Sequence, residues 1–200
     1  MLDKSIPYYN IIMRYDGPTV VEKPVLPDGY RFSSYTEGDD NRWAQMEVDN
    51  NDFDTVENGI IYFHNKYISN YEKLKQRFIG VRNEDNVLVG SVICWDDEKN
   101  GNQVSTVHWL ITDPNVQGNG IGTALVMMLL YKTSLLNLFP IYLHTQPWSY
   151  SAIGIYCKAG FRLLKTDSFR GYENQSKQAI PVLKELVSNH LFNKLIDEMI

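Results

Sequence analysis

The sequence predicts a mixed α/β fold, and three observations carry that prediction. The stretch Trp109–Leu130 (WLITDPNVQGNGIGTALVMMLL) begins as an apolar strand with Val107, Trp109, Leu110 and Ile111, and it breaks at Asp113-Pro114. It crosses a loop carrying Gly118, Gly120 and Gly122, then continues as an apolar helix from about Ile121. A strand, a crossing helix and a further strand require a parallel pair. Earlier, two strand patterns over 78–82 and 87–96 are joined by Asn83-Glu84-Asp85-Asn86, a hairpin-type turn that requires antiparallel neighbours. Helical stretches alternate with these strands, which gives the order β-α-α-β-β-β-α-β-α-β-β.

The elements follow in order. Residues 1–28 carry Pro7, Pro18, Pro24 and Pro27; a strand is expected over Tyr8–Arg14, and the prolines make the rest an extended arm. Tyr30–Tyr35 alternates as a half-buried strand. Asp39 or Asp40 is expected to cap a helix through Trp43, Met46 and Glu47. A second helix is expected over 59–77, with Ile60, Phe63, Tyr67, Tyr71 and Leu74 on one face. Lys99–Asn102 turns the chain into a strand over 103–112. Pro140 separates the central helix from a strand over 141–146. Ser149 or Ser151 is expected to cap a short helix through Ala152, Ile155 and Tyr156, stopped by Gly160. Late strands are expected over 161–164 and 169–172. Pro181 then starts an amphipathic helix with Leu183, Leu186, Val187, Leu191, Leu195 and Ile196 on its apolar side.

Two hundred residues suit one domain with room for an appendage. The 44% hydrophobic, 12% aromatic and 22% charged content excludes wholesale disorder. A net charge of −5 argues against a nucleic-acid partner, whose footprint is a basic patch. Cys94 and Cys157 have neither metal-type nor redox-type spacing, so free thiols are the expectation and no metal site is predicted. The start, MLDKSIPYYNIIMRYD, lacks the pattern of a signal peptide, and the apolar run 121–131 is too short to span a bilayer. The expectation is a cytoplasmic protein with no membrane partner.

The glycine loop is where ligand chemistry enters. Glycines let main-chain N–H groups approach a ligand closely, and the first helical turn leaves its donors unpaired at the positive end of the helix dipole. Such an end suits a pyrophosphate. The spacing is G-x-G-x-G, not the dinucleotide G-x-G-x-x-G, and no acid lies about 20 residues on to hold a ribose. No lysine stands between Gln117 and Tyr131, so the triphosphate loop is also excluded. A plain glycine-rich strand-to-helix turn accounts for the same residues.

The run Val116–Ala124, read as Gln117, Gly120 and Gly122, resembles the Q/R-x-x-G-x-G/A acyl-CoA loop of the GNAT superfamily of N-acyltransferases. A second stretch, Ala152-Ile153-Gly154-Ile155-Tyr156-Cys157-Lys158-Ala159-Gly160-Phe161, resembles that family's closing motif, A-x-x-L-Y-x-K-x-G-F. Each piece alone has a structural explanation, but two motifs in the right order are far less expected by chance.

The resemblance implies a GNAT domain over 29–174, with 1–28 as an arm and 175–200 as a C-terminal amphipathic helix. It implies a mostly antiparallel central sheet with a splayed parallel pair, helices on both faces, and acetyl-CoA as cofactor. Cofactor contacts are implied for Leu110, Ile111, Thr112, Gln117, Gly118, Asn119, Gly120, Ile121, Gly122, Thr123, Ser149, Ala152 and Tyr156. Ser149 stands where the family often has a pantetheine-binding asparagine, and Gln117 where many members have a cation. Tyr156, protonated at neutral pH, is implied as general acid for the departing thiolate. Main-chain donors at Leu110–Thr112 are implied for the oxyanion.

The base is left among three readings. His108, nine residues before Gln117, has a side chain suited to accept a proton at pH 7. Strand alternation places it with Thr106 and Leu110, opposite Val107 and Trp109, and a histidine hydrogen-bonded in the sheet is an equal reading. Glu47 or water is the fallback. The implied function is acetyl transfer to a primary amine of a small molecule or peptide, with a non-catalytic acyl-CoA sensor as the alternative. Five acids and no Lys or Arg between Trp43 and Asn65 would suit a cationic amine, although a solvated loop is the favoured reading. A homodimer is left open.

Overall fold

The computed structural model describes residues 2–17 and 21–200, so Pro18 lies outside the described residues. The strands are β1 (Ile11–Tyr15), β2 (Arg31–Ser33), β3 (Phe78–Arg82), β4 (Leu88–Lys99), β5 (Asn102–Thr112), β6 (Ile141–Thr145) and β7 (Arg162–Leu163). The helices are α1 (Asp39–Asp49), α2 (Val56–Tyr67), α3 (Tyr71–Arg77), α4 (Ile121–Leu135), α5 (Tyr150–Lys158), α6 (Ser176–Leu186) and α7 (Asn189–Asp197). The strands form one mixed sheet in the order β2-β3-β4-β5-β6-β1-β7, flanked by helices. β5 and β6 make the expected parallel pair, with Ser105, Thr106 and Val107 opposite Ile141, Tyr142 and Leu143. β1 pairs antiparallel with β6 and β7, and β3 with β2 and β4. Among the described residues no helix is long and apolar enough to cross a membrane.

The chain divides into two compact units. One comprises Met1–Leu2, Glu22–Cys94 and His108–Tyr131, and the other Asp3–Val21, Trp95–Val107 and Lys132–Ile200. In the first, Trp43, Ala44 and Met46 of α1 are fully buried with Phe63 and Tyr67 of α2 and Leu74 of α3. α1 and α2 approach so closely that a Cβ at Gly59 would stand 2.8 Å from the Ala44 Cβ. A Cβ at Gly90 of β4 would lie 3.0 Å from the Ile111 carbonyl oxygen. In the second unit the core is built from Ile11, Ile12 and Met13, Ile141 and Leu143, Ile153, Phe161 and Leu183.

Several boundaries differ from the sequence expectations, each for a local reason. The residue before α1 is Gly38, at φ +92, rather than an aspartate. Asp39 instead turns back to accept the Thr36 amide at 2.8 Å and the Arg82 guanidinium at 2.7 Å. The helix expected over 59–77 starts earlier, because Thr55 caps it by accepting from the Asn58 amide at 3.2 Å. It then breaks into α2 and α3, which are joined by a 3-10 turn over Ile68–Asn70. Ser149 precedes α5 but makes no cap; its hydroxyl accepts from Gln146 Nε2 at 2.7 Å. No strand forms over 169–172, since Arg170 and Gly171 adopt φ +53 and +71 and fold the segment into a turn. Pro181 lies inside α6 rather than at its start, and the chain breaks at Val187 before Ser188 caps α7.

Candidate active site

The first unit holds the glycine loop, and α1 is what fixes the loop's entry. Arg42 and Asn50, two helical turns apart, lie on one face of α1. The Arg42 guanidinium pairs with Asp113, the residue after β5, and its Nε donates to the Leu88 carbonyl at 3.1 Å. Asn50, buried on all sides, donates through Nδ2 to the Thr112 carbonyl at 3.2 Å and accepts from Gln117 Nε2 at 3.1 Å. Asp113 also accepts the Asn115 amide at 2.8 Å, which sets the 3-10 turn Pro114–Val116. The Gln117 side chain is therefore an anchor of the loop.

From Gly118 onward the loop is open. Gly118, Asn119 and Gly120 are exposed, and α4 starts at Ile121 as expected. Gly118 and Gly120 adopt φ +83 and +82, the left-handed region that glycine enters without a Cβ penalty. A Cβ built on either meets nothing within 4 Å. The first α4 hydrogen bond runs from the Ala124 amide to the Gly120 carbonyl, 3.0 Å. The geometry of a helix start leaves Ile121, Gly122 and Thr123 without intrahelical acceptors for their N–H groups. The Asn119 side chain folds back to the Val116 carbonyl at 3.2 Å, away from those amides.

The end of β5 departs from strand periodicity. Trp109 has φ +49, an outlier for a bulky residue that costs on the order of 1–3 kcal/mol. It breaks the two-residue alternation expected for this strand: Thr106, Val107 and His108 are all buried, and Trp109 and Leu110 are both half-buried. Aromatic packing offsets the strain. The Trp109 ring lies 5.3 Å from Tyr62, 5.5 Å from Phe53 and 5.6 Å from Trp43, and its Nε1 donates to the Tyr62 hydroxyl at 3.2 Å. His108, the residue before Trp109, has Nδ1 2.8 Å from the hydroxyl of Tyr67, a fully buried residue of α2. In the sequence Tyr67 reads only as part of an apolar face; nothing in the residue pattern signals a partner 41 positions away. Glu47 is buried on α1 beside Trp43 and Met46.

Ser149, Ala152 and Tyr156 belong to the second unit. Tyr156 is buried on α5, its ring 5.7 Å from Phe161, and its carbonyl accepts the Phe161 amide at 2.9 Å. Gly160, at φ +97, ends the helix as expected. This unit also contains a histidine that no sequence motif marks. His144 of β6 stacks on Tyr172 at 4.1 Å, and its Nε2 lies 2.8 Å from Asn10 Oδ1. Burial, seconded by the Arg170 charge, pushes this imidazole down to about 4, so it is neutral at pH 7.

Comparison with known proteins fits this geometry. The model of the Acetyltransferase (GNAT) family matches residues 42–161, more than half of the chain. A GCN5-related N-acetyltransferase from Sphaerobacter thermophilus superposes with a TM-score of 0.57 at 19% identity, over 78% of this chain and 49% of that one. This chain thus spans about half the length of that protein. A predicted acetyltransferase from Clostridium acetobutylicum, solved with acetyl-CoA, gives 0.53 at 16% identity over 74% and 97% of the two chains. A variant of spermidine N-acetyltransferase from Vibrio cholerae gives 0.50 at 20% identity over 67% and 80%. At such identities the superpositions show a shared fold. A search of curated proteins found no significant match. The family match covers the glycine loop and the tyrosine helix together, and the chain belongs to the GNAT family of acetyltransferases.

Proposed function

We propose that the protein transfers the acetyl group of acetyl-CoA directly to a primary amine. The observation that carries the proposal is the exposed backbone of Gly118–Gly120 at the entry to α4. Both positive-φ glycines face open space, in a loop whose entry is tied down by Arg42, Asn50 and Gln117. Two or more main-chain N–H groups at a helix start suit a diphosphate, the anionic part of coenzyme A. When bound, acetyl-CoA supplies the acyl group as a thioester.

The chain's own residues have three tasks. A primary ammonium must lose a proton before it attacks, which costs about 4.6 kcal/mol at pH 7 from a reference pKa near 10.4. His108 is the proposed acceptor of that proton. With Nδ1 bonded to Tyr67, the proton arrives at Nε2, and this requires the tautomer in which Nδ1–H donates to the phenol oxygen. Tyr67 is thus a positioning residue for His108. Main-chain N–H groups at Leu110–Thr112 are the proposed donors to the developing oxyanion. Tyr156 is the proposed general acid, its hydroxyl protonating the departing thiolate. The resemblance of Ala152–Phe161 to the family's closing motif supports that role. The acceptor is proposed to be a cationic small molecule, in keeping with the acid-rich segment 43–65.

Thiol release from acetyl-CoA, followed over a panel of amines, tests the transfer. Acceleration by at least one primary amine is expected. Tyr156→Phe should lower kcat by about 10²–10⁴-fold with CoA affinity unchanged. Wild-type turnover in that variant would remove Tyr156 from the mechanism. CoA binding without thiol release to any amine would favour the sensor alternative.

A further inference from the structure

We propose that a cavity beside the edge strand β2 binds a small zwitterion of the α-amino-acid class, its carboxylate on Arg31 and its ammonium on Glu37. The cavity holds about 500 Å³ and lies wholly in the first unit. It is bounded by β2, by the segment 34–37 that leads into α1, and by Arg82 and Asn86 at the turn after β3. Its size falls within the range of small-molecule sites, roughly 300–1,000 Å³. The 11 residues of α1, roughly 16 Å of helix, run from Asp39 in the cavity lining to the Asn50 anchor of the glycine loop. The site is therefore separate from the loop and does not depend on the transfer reading.

Two cations face each other at this sheet edge, since Arg31 of β2 stands opposite Arg82 of β3 in register. Like charges so placed repel. Arg82 is neutralised: its Nη2 donates to both Asp39 carboxylate oxygens at 2.7 Å and to Thr36 Oγ1 at 3.2 Å, and its Nη1 donates to the Asn86 carbonyl at 3.0 Å. Arg31 is not. Among the described residues its guanidinium donates to the Asn86 side-chain oxygen, and no carboxylate pairs with it. Glu37, exposed on the same cavity, likewise has no cation paired with it among the described residues. The remaining Arg31 N–H groups form a fork that matches a carboxylate, and the Glu37 carboxylate matches an ammonium. Opposite charges left unpaired in one cavity fit a ligand that carries both. A simple anion would meet the repulsion of Glu37, and a simple cation that of Arg31. Ser33 and Ser34 add hydroxyls to the lining; Ser33 Oγ is buried without a hydrogen-bond partner among the described residues, an unmet polar group in the wall of the site.

Nuclear magnetic resonance of the full, isotope-labelled chain reads the site through the amides of residues 34–38. L-serine is titrated beside 3-hydroxypropionate, which lacks the ammonium, and ethanolamine, which lacks the carboxylate. L-serine should shift those amides with a dissociation constant of about 1 mM or lower, and each control should bind there about tenfold or more weakly. Arg31→Gln and Glu37→Gln should each weaken L-serine by about tenfold or more. Both side chains are exposed, so the rest of the spectrum should be unchanged in either variant. Amides 34–38 unmoved by L-serine overturn the site. Equal binding of either control at those amides, or wild-type affinity for L-serine in either variant, overturns it as well.

Discussion

Two sets of glycines in the first unit do opposite jobs. Gly59 and Gly90 are glycine because no room exists: a Cβ would stand 2.8 Å from Ala44 Cβ at one and 3.0 Å from the Ile111 carbonyl at the other. Gly118 and Gly120 are glycine although room abounds: a Cβ at either would find nothing within 4 Å, and their φ angles are +83 and +82. The first pair serves packing, and the second leaves backbone bare. Polar groups divide along the same line. At the packed end of β5 they are engaged within the protein: His108 by Tyr67, Trp109 by Tyr62, and the Thr112 carbonyl by Asn50 and Gln117. Along the loop the backbone of Gly118–Gly120 is exposed. A fold that is tight around β5 and bare at one loop directs a ligand to that loop.

The comparison can be broken at its packed side first. Gly59→Val should destabilise the protein by about 3 kcal/mol through overpacking against Ala44, with CoA affinity per folded molecule unchanged. Chemical denaturation and calorimetry report the two separately. If the variant is as stable as wild type, the α1–α2 approach is looser than described.

A second test concerns the half-buried His144 of the second unit. His144, neutral in the folded state with its pKa near 4, takes up a proton sooner in the unfolded chain, near 6.5. The folded state therefore gains nothing from acid, and stability should fall as pH drops from about 6.5 towards 4, by roughly 2–3 kcal/mol from this group. His144→Gln should flatten the unfolding free energy across that window relative to wild type. Parallel profiles would mean that His144 titrates normally.

The smallest effect concerns His108. Tyr67→Phe removes the hydroxyl that faces Nδ1 and should cost about 1–2 kcal/mol. It should also displace the acidic limb of the kcat/KM profile, because the tautomer that leaves Nε2 to accept is no longer held. A stability loss with an unmoved pH profile would confine Tyr67 to a structural part.

Much of this is legible in the residue pattern, and the exceptions share a cause. The strand at 78–82, the start of the central helix at Ile121 and the Gly160 stop are set by local chemistry, so local reading recovers them. The glycine loop and the tyrosine helix are legible as motifs because their spacing is short. What escapes is decided at a distance. Asp39 has the look of a cap but is drawn to Arg82 of β3, and Pro181 has the look of a helix start but is carried inside α6. Trp109 reads as an ordinary strand residue; its left-handed backbone is held by rings from α1, α2 and the intervening loop. The His108–Tyr67 bond likewise joins β5 to α2.

Titration calorimetry of CoA against wild type and Gly120→Val is the most direct measurement. The account predicts one-to-one binding to wild type. In the variant it predicts a loss of more than about 100-fold, as two phosphate–amide bonds of roughly 1.5 kcal/mol each are blocked by the branched side chain. Equal affinity in a folded Gly120→Val protein would contradict it, because the diphosphate would then be held somewhere other than the start of α4.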